Sequence, residues 1–497
     1  MLSSIRLNDF QRKLIHIISI IMVLIIAIGV RINYINQKEG LHIDEVMSIM
    51  ISRYSPQWHA PWISGSGSDV KERCFWNDAS LTQAVSDIKK LHADNRDRPH
   101  TNLYYSLLRL CFVGVSSFDL KQTIWRGCLL NIILFLISFL FFFKILQLLF
   151  KDDWLPQTIC MLFAFCNVGA ISNSLLLRTY QLQETCLITF TYFVVKILYN
   201  GINNNILILL SIVTALTLLS GYFAATYVLM SYGILLLYHG KNSVKIIIFA
   251  FIFSLFLSQL LYTNFFCGFS CGRAGEGYRA LFSIEIFNNI WNAICNTYRL
   301  LNEYLFSYHI VIIAFFLTMI IVPFLIFRHI IVLNKNIIIT LGIVSISLVW
   351  SIGNMFLANW KDLRYISAVF PLIALISMCF IVSIRRWRKI QLCSCCVILM
   401  LVLCGFKTKI PYLYKELSTL KTLLGQYKNK PVYCVDNDIC VLCNLIQYCN
   451  DEQIYHKVNQ LTDIPKLSSI LIFTNKKYDD MKMLWHSDKE GCYLHEK

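Results

Sequence analysis

Apolar runs long enough to cross a membrane recur along most of this chain. Residues 14–30, 124–150 and 311–327 carry few charges, and about 20 such residues cross the hydrocarbon core of a bilayer as a helix. Because 57% of the 497 residues are apolar and only 15% are charged, a soluble fold would lack polar surface. The sequence therefore predicts an all-α polytopic membrane bundle.

We predict about eleven transmembrane helices, at residues 13–32, 124–149, 156–174, 179–199, 205–219, 222–238, 246–265, 308–328, 337–357, 365–384 and 391–407. The first is expected to stay as an anchor, since no small-residue cleavage site follows it. With the N-terminus inside, every cytoplasmic connection carries lysine or arginine, as the positive-inside rule requires. The net charge of +16 indicates membrane topology, because positive charges fall at the ends of hydrophobic runs, and no nucleic acid is expected as a partner.

This topology divides the chain into a transmembrane domain, residues 1–407, and an extracytoplasmic tail, residues 408–497. Two long loops, 33–123 and 266–307, lie on the same outer side as the tail. The first loop predicts a polar helix at 81–91 and an interfacial helix at 103–115, which is too short to span a bilayer. A predicted helix at 412–427 and strands at 431–435 and 470–474 make the tail a small α/β domain.

The sequence also bears on the membrane in which the chain resides. No Asn-x-Ser/Thr acceptor for glycosylation occurs anywhere in the chain. This favours a bacterial inner membrane over the endoplasmic reticulum, with the outer loops and the tail in the periplasm.

Adjacent carboxylates, Asp44 and Glu45, follow the first predicted span. A pair of like charges beside lipid is costly and indicates a function. Three arginines on the same outer side, Arg126, Arg178 and Arg364, are not explained by the charge bias of the loops. We expect the acidic pair and the three arginines to converge on one site at the membrane boundary.

A carboxylate and several arginines at that depth suit one kind of chemistry. If a sugar is carried on a polyprenyl phosphate, the leaving group is an anionic phosphate, and guanidinium groups bind its oxygens in a bidentate fork. The acceptor hydroxyl then needs one base, and an ionised carboxylate can serve. The residues therefore predict inverting glycosyl transfer.

Four short motifs resemble those of membrane-embedded C-type glycosyltransferases, which include protein O-mannosyltransferases and the enzymes that add aminoarabinose to lipid A. The first is similar to their acidic motif after span one, and the second to a His-Pro-Pro-Leu-Tyr-Tyr motif. The others are similar to an Arg-x-Tyr-x-Leu motif and to a late Arg-Tyr…Pro-Leu stretch. In this chain they read His42-Ile43-Asp44-Glu45, His100-Thr101-Asn102-Leu103-Tyr104-Tyr105, Arg178-Thr179-Tyr180-Gln181-Leu182 and Arg364-Tyr365…Pro371-Leu372.

The resemblance implies roles for the matching residues over roughly residues 10–385. Asp44, alone or with Glu45, would be the base or a ligand of a divalent metal such as magnesium or manganese, and the three arginines would bind the donor phosphate. Further candidates for the site are His42, His100, Tyr104, Tyr180 and Tyr365. The chain departs from the family at Thr101 and Asn102, which replace two prolines, and at Gln183, where an acid is expected.

Simpler interpretations remain open for the same residues. Asp44 could cap a helix over residues 45–53, the arginines could reach to lipid phosphates, and the tyrosines could belong to an interfacial belt. Alternative functions are a transporter or flippase of lipid-linked glycans and a non-catalytic scaffold. A nucleotide cofactor is not expected, because neither a Walker-type loop nor a Gly-x-Gly-x-x-Gly turn occurs.

The acceptor is not identified by any motif and could be a glycan, a lipid or a protein. Cysteines in the tail and in loop 266–307 predict disulfides rather than zinc, because they lack two close pairs. The cysteines are Cys434, Cys440, Cys443 and Cys449 in the tail and Cys267 and Cys271 in the loop.

Overall fold

The computed structural model describes residues 9–58, 64–75, 78–98, 100–151, 153–240, 243–270, 279–309, 335–383, 388–435, 439–465, 469–487 and 491–497. Its helices are α1 (Asp9–Gln37), α2 (Ile43–Ser52), α3 (Gly67–Phe75), α4 (Leu81–Ala93), α5 (Leu103–Cys111), α6 (Leu120–Phe150), α7 (Trp154–Phe165), α8 (Val168–Leu175), α9 (Tyr180–Asn200), α10 (Asn204–Leu218), α11 (Ala224–His239), α12 (Val244–Leu261), α13 (Ile286–Tyr304), α14 (Lys335–Leu357), α15 (Phe370–Ala374), α16 (Ile376–Ser383), α17 (Arg388–Gly405), α18 (Ser418–Gln426) and α19 (Ile439–Ile446).

Four of the described helices, α1, α6, α12 and α14, are long and apolar enough to cross a membrane. A fifth candidate is the pair α7 and α8, which meet at a 51° bend. The side chain of Asn167 fills this bend: its amide donates to Phe163 O and Ala164 O, and its Oδ1 accepts from Ala170 N. The described residues are therefore compatible with a multi-pass membrane protein.

The eleven-span count is not confirmed. Helices α10 and α11 are apolar but shorter than a full span, and so is the apolar part of α17, Gln391–Gly405. In place of the predicted span at 365–384, two 3₁₀ turns over residues 363–369 precede α15 and α16. Helix α9 has 21 residues but is more polar. The predicted span at 308–328 falls almost wholly outside the described residues.

Short helices occupy the segment between α1 and α6, as the sequence predicts. Helix α4 matches the polar helix predicted at 81–91, and α5 is a nine-residue helix at the start of the apolar stretch 103–115. On α5 the buried side chains include Tyr104, Tyr105 and Arg109, and Arg109 Nε donates to Asp87 Oδ2 at 2.8 Å on α4. This ion pair explains how α5 carries an arginine without exposing it to lipid.

The tail contributes five strands to a six-stranded sheet with the order β1-β3-β2-β4-β6-β5. Its strands are β1 (Ser64–Ser66), β2 (Val432–Val435), β3 (Ile454–Val458), β4 (Leu471–Thr474), β5 (Lys482–Ser487) and β6 (Cys492–Glu496). The pairs β2–β3 and β2–β4 are parallel, and the other three are antiparallel. The edge strand β1 comes from the segment between α1 and α6, so the sheet joins the tail to that segment.

The cysteines of the tail pack in its interior where they are described. Cys449 is buried and its thiol donates to Leu445 O, and it takes part in no disulfide. Cys271 lies outside the described residues, and so does the side chain of Cys440. The predicted pairings that involve these two cysteines stay predictions.

Candidate active site

The side chain of Asp44 lies between two arginines that are distant from it in sequence. Asp44 is in the first turn of α2, and its Oδ2 accepts from Arg364 Nη1. Its Oδ1 lies 3.8 Å from Arg178 Nη2. Arg178 precedes α9, and Arg364 lies in a 3₁₀ turn after α14. Two of the three predicted arginines therefore meet the predicted acid.

Arg178 is almost completely buried and has several fixed partners. Its Nη1 donates to Ser48 Oγ at 3.1 Å and to the Tyr105 hydroxyl at 3.0 Å. Its Nη2 lies 3.5 Å from His100 Nε2. Because α2, α5 and the turn before α5 each supply one partner, the guanidinium is held in one orientation.

His100 pairs with Asp97, and both side chains are partly exposed. The distance between His100 Nδ1 and Asp97 Oδ2 is 2.9 Å, and the Tyr105 hydroxyl donates to the same carboxylate oxygen at 3.0 Å. A guanidinium only donates, so a hydrogen bond from Arg178 to His100 Nε2 requires the tautomer that carries its proton on Nδ1. Burial opposes ionisation of Asp97, but His100 and Arg178 together hold the pKa of its carboxyl well below the usual range.

Arg364 packs against aromatic side chains and has an N–H donor without a hydrogen bond to any described residue. Its guanidinium carbon lies 5.3 Å from the ring centroid of Tyr365, and its Nε is 3.7 Å from Asp362 Oδ2. This Nε makes no hydrogen bond with any residue in the described ranges. Asp362 is fixed in turn by the hydroxyl of Tyr412, which donates to its Oδ1 at 2.8 Å.

Glu45 takes a different role from Asp44, although the two are adjacent. Its carboxylate is fully buried and pairs with Lys38 Nζ at 2.8 Å. The same carboxylate accepts from His42 N at 2.7 Å and from Leu177 N at 2.8 Å. Lys38 also donates to the carbonyls of Leu175 and Tyr412. Glu45 therefore ties the end of α1, the start of α2 and the segment before Arg178 together.

His42, and not Asp44, caps α2. The Nδ1 atom of His42 accepts from Asp44 N at 3.1 Å, and Glu45 completes a capping box. Burial lowers the pKa of His42 to about 4, although Asp44 acts in the opposite direction. The ring is therefore neutral at pH 7, with its proton on Nε2, and the 3.5 Å approach of Nδ1 to Asp44 Oδ2 is not an ion pair.

Positive charge dominates the surroundings of Asp44. Burial alone would raise the pKa of its carboxyl, but Arg178 and Arg364 outweigh burial and hold that pKa well below the usual range. The side chain of Asp44 is 19% exposed, against 10% for Arg364 and 4% for Arg178. Asp44 is thus the most accessible member of this cluster, which we call the Asp44 cluster (Asp44, Arg178 and Arg364).

A divalent cation does not fit the acidic pair. Both oxygens of Asp44 face guanidinium groups, and both oxygens of Glu45 accept hydrogen bonds from Lys38 or backbone amides. A cation placed there would lie close to three positive charges. In the described part of the chain, no three side chains of the metal-binding types come together.

The remaining predicted residues divide into two groups. Tyr180 and Tyr365 pack edge to face at 6.2 Å beside Arg364, and Tyr104 lies deeper, where its hydroxyl donates to Asn131. Arg126 is exposed on α6 and makes no ion pair with a described residue. The structure therefore does not bring Arg126 to the Asp44 cluster.

Several residues around the cluster were not predicted from the sequence. Lys38 resembles a routine charge after a span, and Asp97 lies in a charged stretch with no recognised motif. Tyr412 and Tyr414 come from the tail: Tyr414 lies 6.0 Å from the His42 ring, measured between centroids. Both tyrosines have positive φ, 68° and 51°, a strained conformation that no sequence pattern signals.

A buried polar network lies directly beneath the cluster. Arg31 Nε donates to Ser174 Oγ, which donates to Gln181 Oε1, and Gln181 Nε2 donates to Glu184 Oε1. Asn173 links the other oxygen of Glu184 to the 3₁₀ turn that follows Arg364. The network connects α1, α8 and α9, so it supports the backbone on both sides of Arg178.

The two prolines expected before α5 are replaced by residues that anchor the helix through side chains. Thr101 Oγ1 donates to Leu219 O after α10, and Asn102 Nδ2 donates to Leu261 O at the end of α12 at 3.2 Å. The start of α5 is therefore attached to the bundle by hydrogen bonds instead of by proline rigidity.

Comparisons with protein-family models, curated proteins and solved structures gave no match to this chain. The resemblance to C-type glycosyltransferases therefore rests on the four motifs themselves.

Proposed function

We propose that this protein is an inverting glycosyltransferase that moves a sugar from a polyprenyl phosphate to an acceptor hydroxyl. One observation carries the proposal: a partly accessible carboxylate, Asp44, lies between two buried arginines at the end of a bundle of apolar helices. Carboxylates and arginines of this kind form the minimal set for releasing a lipid phosphate and activating a hydroxyl.

In this proposal Arg178 and Arg364 bind the phosphate of the donor. As the glycosidic bond breaks, the phosphate gains a second negative charge, and guanidinium groups already in position stabilise it without reorganisation. Arg364 retains an Nε donor that makes no hydrogen bond with a described residue. Tyr180 and Tyr365 restrict the movement of Arg364 and keep water away from it.

Asp44 acts as the base that takes the proton of the acceptor hydroxyl. Before the donor binds, the two arginines make Asp44 a weak base, because they hold its pKa low. A bound phosphate would compete for the same guanidinium groups and bring negative charge close to the carboxylate. Both effects raise the pKa of Asp44, so donor binding would itself turn Asp44 into an effective base.

The proposal includes the topology of the chain in the membrane. We place eleven spans in a bacterial inner membrane, with the Asp44 cluster and the tail on the periplasmic side. The donor would enter from the bilayer, and the acceptor would be bound between the tail and the segment that holds α2 to α5. Membrane lipids and a glycan, lipid or protein acceptor are then the partners.

One observation bears on the alternative of a transporter or flippase of lipid-linked glycans. Arg31 and Glu184 are fully buried within the bundle, and ionisable groups inside a membrane often mark a transport path. Arg31 is six residues from the end of α1 and Glu184 is four from the start of α9, which places them about 9 Å and 6 Å from those ends. Transporter sites lie near the midplane of the membrane. The position of Arg31 and Glu184 near helix ends therefore favours a role in supporting the Asp44 cluster over a role in transport.

The proposal is tested with the full chain in proteoliposomes and a radiolabelled polyprenyl-phosphate sugar donor. Asp44→Asn keeps the shape of the side chain but removes the base, so transfer should fall by about 10²-fold or more. Asp479→Asn is the matched control, because Asp479 is 90% exposed in the tail. It should leave transfer unchanged.

Two outcomes would contradict the proposal. Full sugar transfer by a folded Asp44→Asn variant would show that Asp44 is not the base. Equal movement of intact lipid-linked sugar across the membrane by wild type and Asp44→Asn, without transfer, would favour the transporter.

A further inference from the structure

A cavity of about 420 Å³ lies between α9, α11 and α14, away from the Asp44 cluster. Its walls are mostly apolar and include Val195, Leu198, Ile234 and Ile343. This volume is within the range of small-molecule pockets, roughly 300–1,000 Å³. The cavity therefore has room for part of a flexible apolar molecule.

The cavity lies at the opposite end of the bundle from the cluster. Helix α9 begins at Tyr180 beside Arg178, whereas the cavity is lined by α9 residues from Thr191 to Leu198. Helix α14 runs the other way, so its first residue, Lys335, lies at the cavity and its last residue precedes Arg364. The two sites are thus separated along both helices.

Of the described residues that line the cavity, one is a cation. Lys335 lines the cavity, and its Nζ lies 5.4 Å from the ring centroids of both Tyr199 and Tyr238. Lys335 is exposed and has no carboxylate partner among the described residues. The two aromatic rings restrict the position of the Lys335 ammonium group. Without a carboxylate partner among the described residues, this group can bind an anion from outside the protein.

The surroundings of the cavity indicate that its open side faces lipid. Tyr238 and Ile338, which line it, are 52% and 57% exposed, and the neighbouring Leu237 is 87% exposed. Further positive charge lies at the same end of the bundle, where Lys144 and Lys196 contact the ring of Tyr192. Apolar walls, a lipid-facing opening and excess positive charge match an anionic phospholipid.

We infer that this cavity binds one acyl chain of an anionic phospholipid, whose phosphate is held by Lys335, in the leaflet opposite the Asp44 cluster. The apolar walls bind the chain, and Lys335 selects the charge of the headgroup. The inference is independent of glycosyl transfer, since no residue of the Asp44 cluster takes part.

The test measures lipid retention by the purified full chain with native mass spectrometry. Phosphatidylglycerol and phosphatidylcholine with the same palmitoyl and oleoyl chains are titrated separately. Wild type should bind one phosphatidylglycerol about fivefold more tightly than phosphatidylcholine, the factor expected for one lysine near a lipid headgroup. Lys335→Gln should abolish this preference. Lys144→Gln, which removes a charge at the same end but not from the cavity, should keep it.

A second pair of variants tests the cavity itself. Gly342 lines the cavity and a Cβ there would meet no atom within 4 Å, so Gly342→Phe fills the space without a backbone clash. It should lose most retention of both lipids. Gly233→Phe is the control, because Gly233 is equally unobstructed but does not line the cavity. Thermal unfolding confirms that both variants are folded.

Three outcomes would overturn the inference. The first is an unchanged phosphatidylglycerol preference in Lys335→Gln, and the second is undiminished lipid retention in a folded Gly342→Phe variant. The third is one-for-one displacement of phosphatidylglycerol by polyprenyl phosphate at equal concentration, which would assign the cavity to a polyprenyl chain.

Discussion

Asp44 and Glu45 are adjacent in the chain, but their environments give them different chemistry. Successive helical residues point about 100° apart, so Asp44 faces Arg178 and Arg364 whereas Glu45 faces Lys38 and two backbone amides. Asp44 keeps 19% of its side chain exposed and Glu45 keeps none. A group from outside the protein can therefore approach only the carboxylate of Asp44.

The Lys38–Glu45 pair should contribute to stability rather than to turnover. Lys38→Met leaves a buried carboxylate without its counter-ion, which typically costs about 3–5 kcal/mol. The double variant Lys38→Met/Glu45→Gln should lose clearly less than the sum of the two single changes. Thermal unfolding in detergent measures all three variants.

The control for this prediction is Lys71→Met. Lys71 pairs with Asp451, whose side chain is 71% exposed, and exposed pairs contribute about 0–1 kcal/mol. Additive losses in the Lys38 and Glu45 variants would mean that the two groups do not act as a pair.

His42 should make the fold sensitive to acid. Its pKa is about 4 in the folded chain and about 6.5 in an unfolded one, so its contribution to stability is present above pH 6.5 and lost as the pH falls towards 4. Protonation of Asp44 also lowers stability, but only at lower pH, because the pKa of Asp44 lies well below the usual range. His42→Asn keeps a cap acceptor and should flatten the stability profile between pH 6.5 and 4.5. An unchanged profile would show that His42 does not titrate there.

At the scale of the elements, one close helix contact brings the two arginines of the cluster together. A Cβ on Gly169 of α8 would lie 2.4 Å from Cδ2 of Phe370 on α15, so only glycine permits this approach. Arg178 follows α8 and Arg364 precedes α15. The contact therefore helps to set the spacing between the two guanidinium groups around Asp44.

Gly169→Ala should both destabilise the protein and impair sugar transfer. Overpacking against the buried Phe370 ring should cost about 1–3 kcal/mol, and displacement of either arginine should weaken donor use. Gly233→Ala is the matched control: its Cβ would meet open space, and alanine should stabilise α11 by up to about 1 kcal/mol. Equal stability of both variants would show that the α8–α15 contact is not tight.

At the scale of the whole molecule, the tail and the segment between α1 and α6 form one structure. Strand β1 pairs with β3, and the side chain of Gln447 bonds both the amide and the carbonyl of Leu41. Tyr412 reaches Asp362 beside Arg364. The tail thus forms part of the wall of the candidate site, and its position depends on contacts far apart in sequence.

Gly67→Ala should loosen this junction. A Cβ on Gly67 would lie 1.8 Å from the backbone oxygen of Asn450, so the segment that carries β1 must move away from the tail. Hydrogen exchange should become faster in Ser64–Ser66 and Ile454–Val458. Gly425→Ala, in α18 with no atom within 4 Å of its Cβ, should leave exchange unchanged. Protected β1 amides in Gly67→Ala would contradict the arrangement.

The sequence by itself determined the features that depend on local pattern. Hydrophobic runs predicted long apolar helices, amphipathic spacing predicted α4, and the short apolar stretch at 103–115 predicted the start of α5. Short apolar runs predicted β2 and β4. The motifs also predicted Asp44, Arg178 and Arg364 as neighbours. Their order along the chain and their places at the ends of hydrophobic runs carry that information, because lipid thickness aligns helix ends at two surfaces.

Only the tertiary structure decided how the charges pair. Nothing in the local pattern separates Arg126, which is exposed, from Arg178, which is buried beside Asp44. Nor does it connect Lys38 to Glu45, Asp97 to His100, or Tyr412 to Asp362. A charged group that is removed from water needs a partner within a few ångströms. The fold decides which residue lies that close, so the partner cannot be inferred from position in the sequence.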